Sequence, residues 1–187
     1  MEADVCVCVP WAAQYPTTMT TRTLFEHPIC TAVAFPVQTR DGIRPFMRLL
    51  MADWVNVVPI TAAGEIVLIR QYRHGNERLT LEIPGGIIDP GEDGATAARR
   101  ELREETGYTG GELIELGTVF ANPAIQNNRL MMYALTGVER THEPDLDAGE
   151  DIEVELHSVA DALRLVREGA IDHALVVAAL QAYALLQ

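Results

Sequence analysis

The segment Arg99-Arg100-Glu101-Leu102-Arg103-Glu104-Glu105 holds the residues best suited to chemistry. On a helix, at about 100° per residue, Glu101, Glu104 and Glu105 project from one face. Leu102, Ala98 and Ala95 occupy an adjacent face that can pack inward. Glu101 and Glu105 are like-charged i,i+4 neighbours, which costs a helix a few tenths of a kcal/mol. Arg100 lies four residues before Glu104 and is placed to pin its rotamer. Two readings follow from these residues. One is a solvated acidic helix face. The other is a site for a hard divalent cation, which favours several carboxylate oxygens beside a glycine-rich turn such as Pro84-Gly85-Gly86.

The surrounding elements must position that helix. It spans residues 92–106, rich in Ala, Leu, Glu and Arg, and Gly107 stands where a C-cap glycine belongs. Strands are expected at 54–60, 65–70, Leu79–Ile83, 112–120, 129–136 and 152–157, with Ala63-Gly64 turning between the first two. Upstream, the apolar stretches Ile29–Val37 and Phe46–Leu50 flank Arg40-Asp41-Gly42, a hairpin signal. Residues 1–20 read as an irregular lead-in and 139–151 as an acidic loop. Ser158 and Asp161 form a capping box for a helix over 159–168, and Asp172 is placed to cap an apolar helix over 173–186. Strands with interspersed helices predict a layered, mixed α/β (α+β) domain.

Charge restricts the partners. Asp and Glu number 27 against 14 Arg and Lys, a formal net charge of −13. Such a surface repels nucleic-acid phosphates and anionic membranes, and no basic run offsets it. No apolar run approaches the ~20 residues of a membrane span, and Glu2 and Asp4 do not fit a secretory signal. Cys6, Cys8 and Cys30 fit a reducing cytoplasm and lack metal-ligand spacing. The histidines at 27, 74, 142, 157 and 173 lack it too.

Spacing around the helix bears on the choice between the two readings. Gly86 is followed by Glu92, then by Arg100-Glu101-Leu102-x-Glu104-Glu105-x-Gly107. Residues 86–108 therefore resemble the Nudix box, G-x5-E-x7-R-E-U-x-E-E-x-G-U, with all seven fixed positions matched. Tyr108 departs from the aliphatic preference at the last position. The resemblance implies a Nudix α/β/α sandwich with a mixed sheet, and Mg²⁺ (or Mn²⁺) held against a diphosphate. It implies that Glu101, Glu105 and the Gly85 carbonyl are metal ligands. Glu104 would be a further ligand or base, and Arg100 would orient the glutamates. Glu92, Gly86 and Gly107 would support the loop.

Further residues resemble the ADP-ribose/ADP-sugar pyrophosphatase branch. These are Arg70-Gln71-Tyr72-Arg73, Leu81-Glu82-Ile83-Pro84-Gly85-Gly86, and Pro123. That branch implies hydrolysis of ADP-ribose or a related nucleotide sugar to a nucleoside monophosphate and a sugar phosphate. It also implies a small N-terminal antiparallel sheet, assigned to residues 1–50, that builds a homodimer ahead of a Nudix domain at 51–187. Arg73 and Pro123 would meet substrate, though a strand-end arginine facing solvent and a simple turn proline are the competing readings. The branch places its general base on the acidic loop, with Glu150 the first choice and Glu153 the second. Ala148 stands where some relatives carry a further glutamate. Two alternatives remain. One is another substrate: a GDP-sugar, a dinucleoside polyphosphate, NADH or an oxidised nucleotide. The other is a nucleotide-sensing module without turnover.

The acidity is gathered, not spread. Residues 86–108 carry a balance of −3 and residues 139–155 a balance of −7, so these segments hold −10 of the −13.

Overall fold

The structure is a computed structural model that describes residues 20–146, 148–149 and 151–186. The chain divides into two compact units, the first taking residues 20–51 and 122–127 and the second 52–121 and 128–186.

The first unit is a three-stranded antiparallel sheet of β1 (Arg22–His27), β2 (Cys30–Thr39) and β3 (Gly42–Leu50), in that order. The hairpin expected at Asp41-Gly42 joins β2 to β3, with Gly42 at a φ of 99° that a side chain rarely tolerates. The Thr39 hydroxyl donates to the Gly42 carbonyl at 2.7 Å and closes the turn. Pro123 sits in the segment 122–127, which is tied to β3 by the Leu49 amide donating to the Ile125 carbonyl at 2.8 Å. Only Ala32 and Val33 are buried in this sheet, while Leu24, Phe25, Ile43, Phe46 and Met47 are exposed.

The second unit carries a seven-stranded mixed sheet. Its main path runs β10 (Ile152–Ser158), β5 (Glu65–Arg73), β4 (Trp54–Thr61), β9 (Arg129–Arg140), β8 (Tyr108–Phe120). Only β4 and β9 pair in parallel. β4 and β5 share a single ladder pair, Ile60 with Ile66, and then diverge. The gap is filled by a wedge: β6 (Arg78–Glu82) pairs with β5, and β7 (Gly85–Ile87) pairs with β4.

Both faces of the sheet are covered, so its central strands read as nearly continuous apolar runs. Val55, Val57, Met131, Tyr133 and Leu135 face the helix α1 (Gly94–Thr106) with Ala97, Ala98 and Leu102. The alternate residues Val58, Ile60, Leu130, Met132 and Ala134 pack with α2 (Val159–Glu168) and α3 (Ala174–Ala184). This is the expected mixed α/β/α arrangement. Among the described residues no helix is long and apolar enough to cross a membrane.

Leu102 is 1% exposed and is the largest helix side chain in the α1 layer. Leu102→Ala is expected to cost about 2–5 kcal/mol, the range for a buried leucine that leaves a cavity. Urea unfolding checks this through a lower midpoint at unchanged m-value.

Several boundaries differ from those expected of the sequence. α1 begins at Gly94 instead of 92, because Asp93 caps it by accepting from the Thr96 amide at 2.9 Å. Asp172 does not cap α3. Its carboxylate pairs with Arg78, and His173 takes the cap position without a side-chain bond. β8 and β9 are longer than expected, and β9 absorbs Glu139 and Arg140 from the expected loop. Gly110, Gly111, Gly117 and Gly137 take positive φ within this long hairpin, and its register shifts between Glu115 and Gly117. Glycines that break the apolar alternation hide these strand ends from periodicity. The capping box at Ser158 is present, its hydroxyl accepting from the Asp161 amide at 3.0 Å.

Candidate functional site

The site is built from the wedge and the α1 face beside it. α1 ends at Gly107, whose φ of 74° suits a left-handed C-cap and whose amide donates to Arg103 O at 2.8 Å. A Cβ at this glycine would run into the His142 carbonyl, so the helix exit admits only Gly.

Arg100 is the hub. Its Nε and Nη2 donate to the two Glu92 carboxylate oxygens at 3.0 and 2.9 Å. Its Nη1 donates to Glu101 Oε1 at 2.9 Å and to Glu104 Oε2 at 3.1 Å, and its Nη2 also reaches the Ile87 carbonyl at 3.0 Å. One guanidinium thus ties three box carboxylates to the loop before the helix, as the planar five-donor fork allows. The Glu92 hydrogen bond, with the Glu101 and Glu104 charges, raises the Arg100 pKa further despite partial burial. The same bond to Arg100 holds the Glu92 carboxyl below its usual value. Arg103 adds a bond to Glu104 at 3.0 Å.

Glu105 behaves differently from its neighbours. It is 5% exposed, and its Oε2 accepts from the Gly85 amide at 2.9 Å. Helical spacing alone puts all three carboxylates on one wet face. The structure turns Glu105 inward, because β7 runs alongside α1 and presents a backbone donor. Gly85 and Gly86 permit that approach. A Cβ on Gly85 would strike the Val55 carbonyl, and one on Gly86 would lie 2.6 Å from the Glu101 Cδ.

Among the described residues, no three His, Cys, Asp or Glu side chains are gathered as a preformed cation cage. Arg100 lies between the carboxylates and holds Glu101 and Glu104. The donor set nevertheless fits a hard divalent cation. It is all oxygen, anionic and confined to one helix and one glycine strand, with Glu101 and Glu104 still 14% and 29% exposed.

The other expected site residues are dispersed. Arg73 does not simply face solvent at the end of β5. It forms a two-bond fork with Glu82, Nε to Oε1 at 2.8 Å and Nη2 to Oε2 at 2.7 Å. Glu153 is exposed on β10, opposite Arg70 in the ladder. Arg70 itself binds another carboxylate on that strand, Glu155, at 2.6 Å. Glu150 lies outside the described residues, as do Cys6, Cys8 and the rest of residues 1–19 of the lead-in. Pro123 belongs to the first unit.

Two features are not visible in the sequence pattern. Asp53 clamps the start of β9, accepting from the Arg129 amide at 2.7 Å and from its guanidinium. Nothing local marks this pair, which is distant in sequence. Glu82 is 1% exposed and also accepts from the Thr80 hydroxyl at 2.6 Å. The sequence marks Glu82 as a charge between Leu81 and Ile83 and as part of Leu81-Glu82-Ile83-Pro84-Gly85-Gly86, but it does not mark Arg73 as its partner.

Burial pushes the Glu82 carboxyl up, but the Arg73 bonds and Thr80 outweigh it and leave the pKa below its ordinary 4.5. The Arg70 bond, with His157, likewise lowers Glu155. A carboxyl lowered in the folded state adds stability that is present above its unfolded pKa and lost as pH falls through the folded one. The urea midpoint is therefore expected to be flat near neutrality and to drop below about pH 4.5, the ordinary Glu value. Urea titrations from pH 7 to 3 measure it.

Known proteins resemble this chain in sequence and in fold. The NUDIX domain model matches residues 52–180. An ADP-ribose pyrophosphatase of Bacillus subtilis (strain 168) is 34% identical over 113 residues, covering 60% of this chain and 61% of the relative. An ADP-ribose pyrophosphatase of Saccharomyces cerevisiae (strain ATCC 204508 / S288c) is 39% identical over 107 residues, covering 53% and 46%. The chain thus spans about half to three fifths of the length of these relatives. A crystal structure of an ADP compounds hydrolase shares the fold, with a TM-score of 0.80 at 24% identity over 90% of this chain and 92% of that one. Box, fold and sequence agree: the chain belongs to the Nudix family and resembles its ADP-ribose pyrophosphatase-like branch.

Proposed function

We propose that this protein hydrolyses the pyrophosphate bond of ADP-ribose or a related nucleoside diphosphate sugar, releasing a nucleoside monophosphate and a sugar phosphate. The observation that carries the reading is the placement of Glu101 and Glu105 against Gly86 and Gly85, with Arg100 organising Glu92, Glu101 and Glu104. Unassisted, these carboxylates would repel a diphosphate, so the site requires a divalent cation, Mg²⁺ or Mn²⁺. When bound, such an ion neutralises the diphosphate and lowers the pKa of water.

Glu101, Glu105 and the Gly85 carbonyl would hold that ion, with Glu104 beside them. Arg100 keeps Glu101 and Glu104 oriented through its fork. Glu92 anchors Arg100 to the loop. Glu150 or Glu153 takes the proton from the attacking water. Arg73 and Pro123 contact the substrate, Arg73 from an orientation fixed by Glu82. The first unit's sheet, with its exposed Phe25, Phe46 and Met47, pairs two copies into a homodimer. A chain with only three cysteines suits the reducing cytoplasm.

A substrate panel tests this reading. ADP-ribose, ADP-sugars, a GDP-sugar, a dinucleoside polyphosphate and NADH are incubated with Mg²⁺ or Mn²⁺, and the products are separated by chromatography. AMP with ribose phosphate is expected from ADP-ribose. No hydrolysis of any nucleoside diphosphate derivative overturns the enzyme and favours a sensor.

A further inference from the structure

The wedge between β4 and β5 carries Gly85 and Gly86 to α1, and what holds it in register is not its apolar pattern. Leu79, Leu81 and Ile83 alternate, so a slip of two residues against β5 would keep apolar groups on the same face. It would also move Gly85 by roughly 7 Å along the strand, at 3.3 Å per residue, away from Glu105.

One polar clamp reads the register directly. Arg73 stands opposite Arg78 in the ladder and reaches diagonally to Glu82, which stands opposite Ile69. The fork of 2.8 and 2.7 Å and the 2.6 Å bond from Thr80 account for the buried carboxylate. Asn56 Nδ2, opposite Gly85, and Gln71 Nε2, opposite Thr80, are buried without partners among the described residues. Only the Glu82 end of this pair is buried, Arg73 being 41% exposed, and the best-attested use of such a buried charge is to specify one arrangement.

We propose that Glu82 is a positioning residue: gripped by Arg73 and Thr80, its carboxylate sets the register of the wedge and so holds the Gly85 backbone against Glu105. The consequence for metal binding rests on the proposed function above. The consequence for the backbone does not.

The test is hydrogen exchange of the metal-free protein, followed at the Gly85 amide and at core amides of β9, for the wild type and Glu82→Gln. Glutamine keeps the shape but offers one acceptor oxygen where Arg73 needs two. Gly85 exchange is expected to rise about tenfold or more, as for a locally opened hydrogen bond, with β9 unchanged. Thr80→Val, a milder change that also serves if Glu82→Gln fails to fold, is expected to shift Gly85 the same way by less. Mn²⁺ affinity is expected to fall in parallel. Gly85 exchange at the wild-type rate in both variants, or equal acceleration in β9, overturns the proposal, since a merely global effect moves every amide. If wild-type protein binds no Mn²⁺, the metal reading fails while the exchange comparison still decides the role of Glu82.

Discussion

Glu105→Gln is expected to lower kcat for ADP-ribose at least ~10²-fold, as when a catalytic acid or base group is lost, while leaving the fold intact. The asymmetry follows from the geometry. Glu105 is buried and accepts from the Gly85 amide at 2.9 Å. A glutamine carbonyl accepts that bond equally well, so packing and the helix survive. What disappears is the negative charge, which a hard cation requires and a neutral amide replaces poorly. Steady-state turnover with Mg²⁺, beside a circular dichroism melt, separates the two effects. Turnover near the wild-type rate would remove Glu105 from the metal set.

Arg100→Lys is expected to lower kcat/KM and Mg²⁺ affinity by roughly 10–100-fold, the usual cost of losing an orienting partner of a metal ligand. The charge is conserved, so the prediction isolates geometry. Arg100 makes two bonds to Glu92, one each to Glu101 and Glu104, and one to the Ile87 carbonyl. A lysine ammonium is a point donor and cannot span that set. Freed from their common partner, Glu101 and Glu104 would sample other rotamers, so the loss should appear in metal titrations as well as in turnover. Equal Mg²⁺ affinity in both proteins would contradict a hub role for Arg100.

Much of this was legible in the sequence because it is local. The α1 face, its Gly107 exit, the Ser158 cap and the hairpin at Gly42 depend on residues a few positions apart. The inward turn of Glu105 was not legible, because its partner is a backbone amide on β7 that only sheet pairing brings near. The Arg73–Glu82 fork was hidden for a related reason. Its residues are nine apart along the chain and meet only when β6 folds back on β5. Asp172 misled because a residue type suited to helix capping is committed instead to Arg78.

The gathered acidity has a partial structural account. In the box segment, Arg100 is paired with Glu92, Glu101 and Glu104. In the downstream segment, Glu155 is matched by Arg70 and His157, and Glu143 by Arg140. Glu153 remains exposed on β10.

If the box carboxylates support pyrophosphate cleavage of an ADP-sugar, the oxygen gained by one product comes from water. The most direct measurement incubates ADP-ribose with the protein in H₂¹⁸O and Mg²⁺ and analyses the products by mass spectrometry. The expected products are AMP and ribose phosphate, one of them carrying a single ¹⁸O, with none formed without divalent cation. Intact ADP-ribose, or cleavage that persists in excess chelator, would contradict this reading.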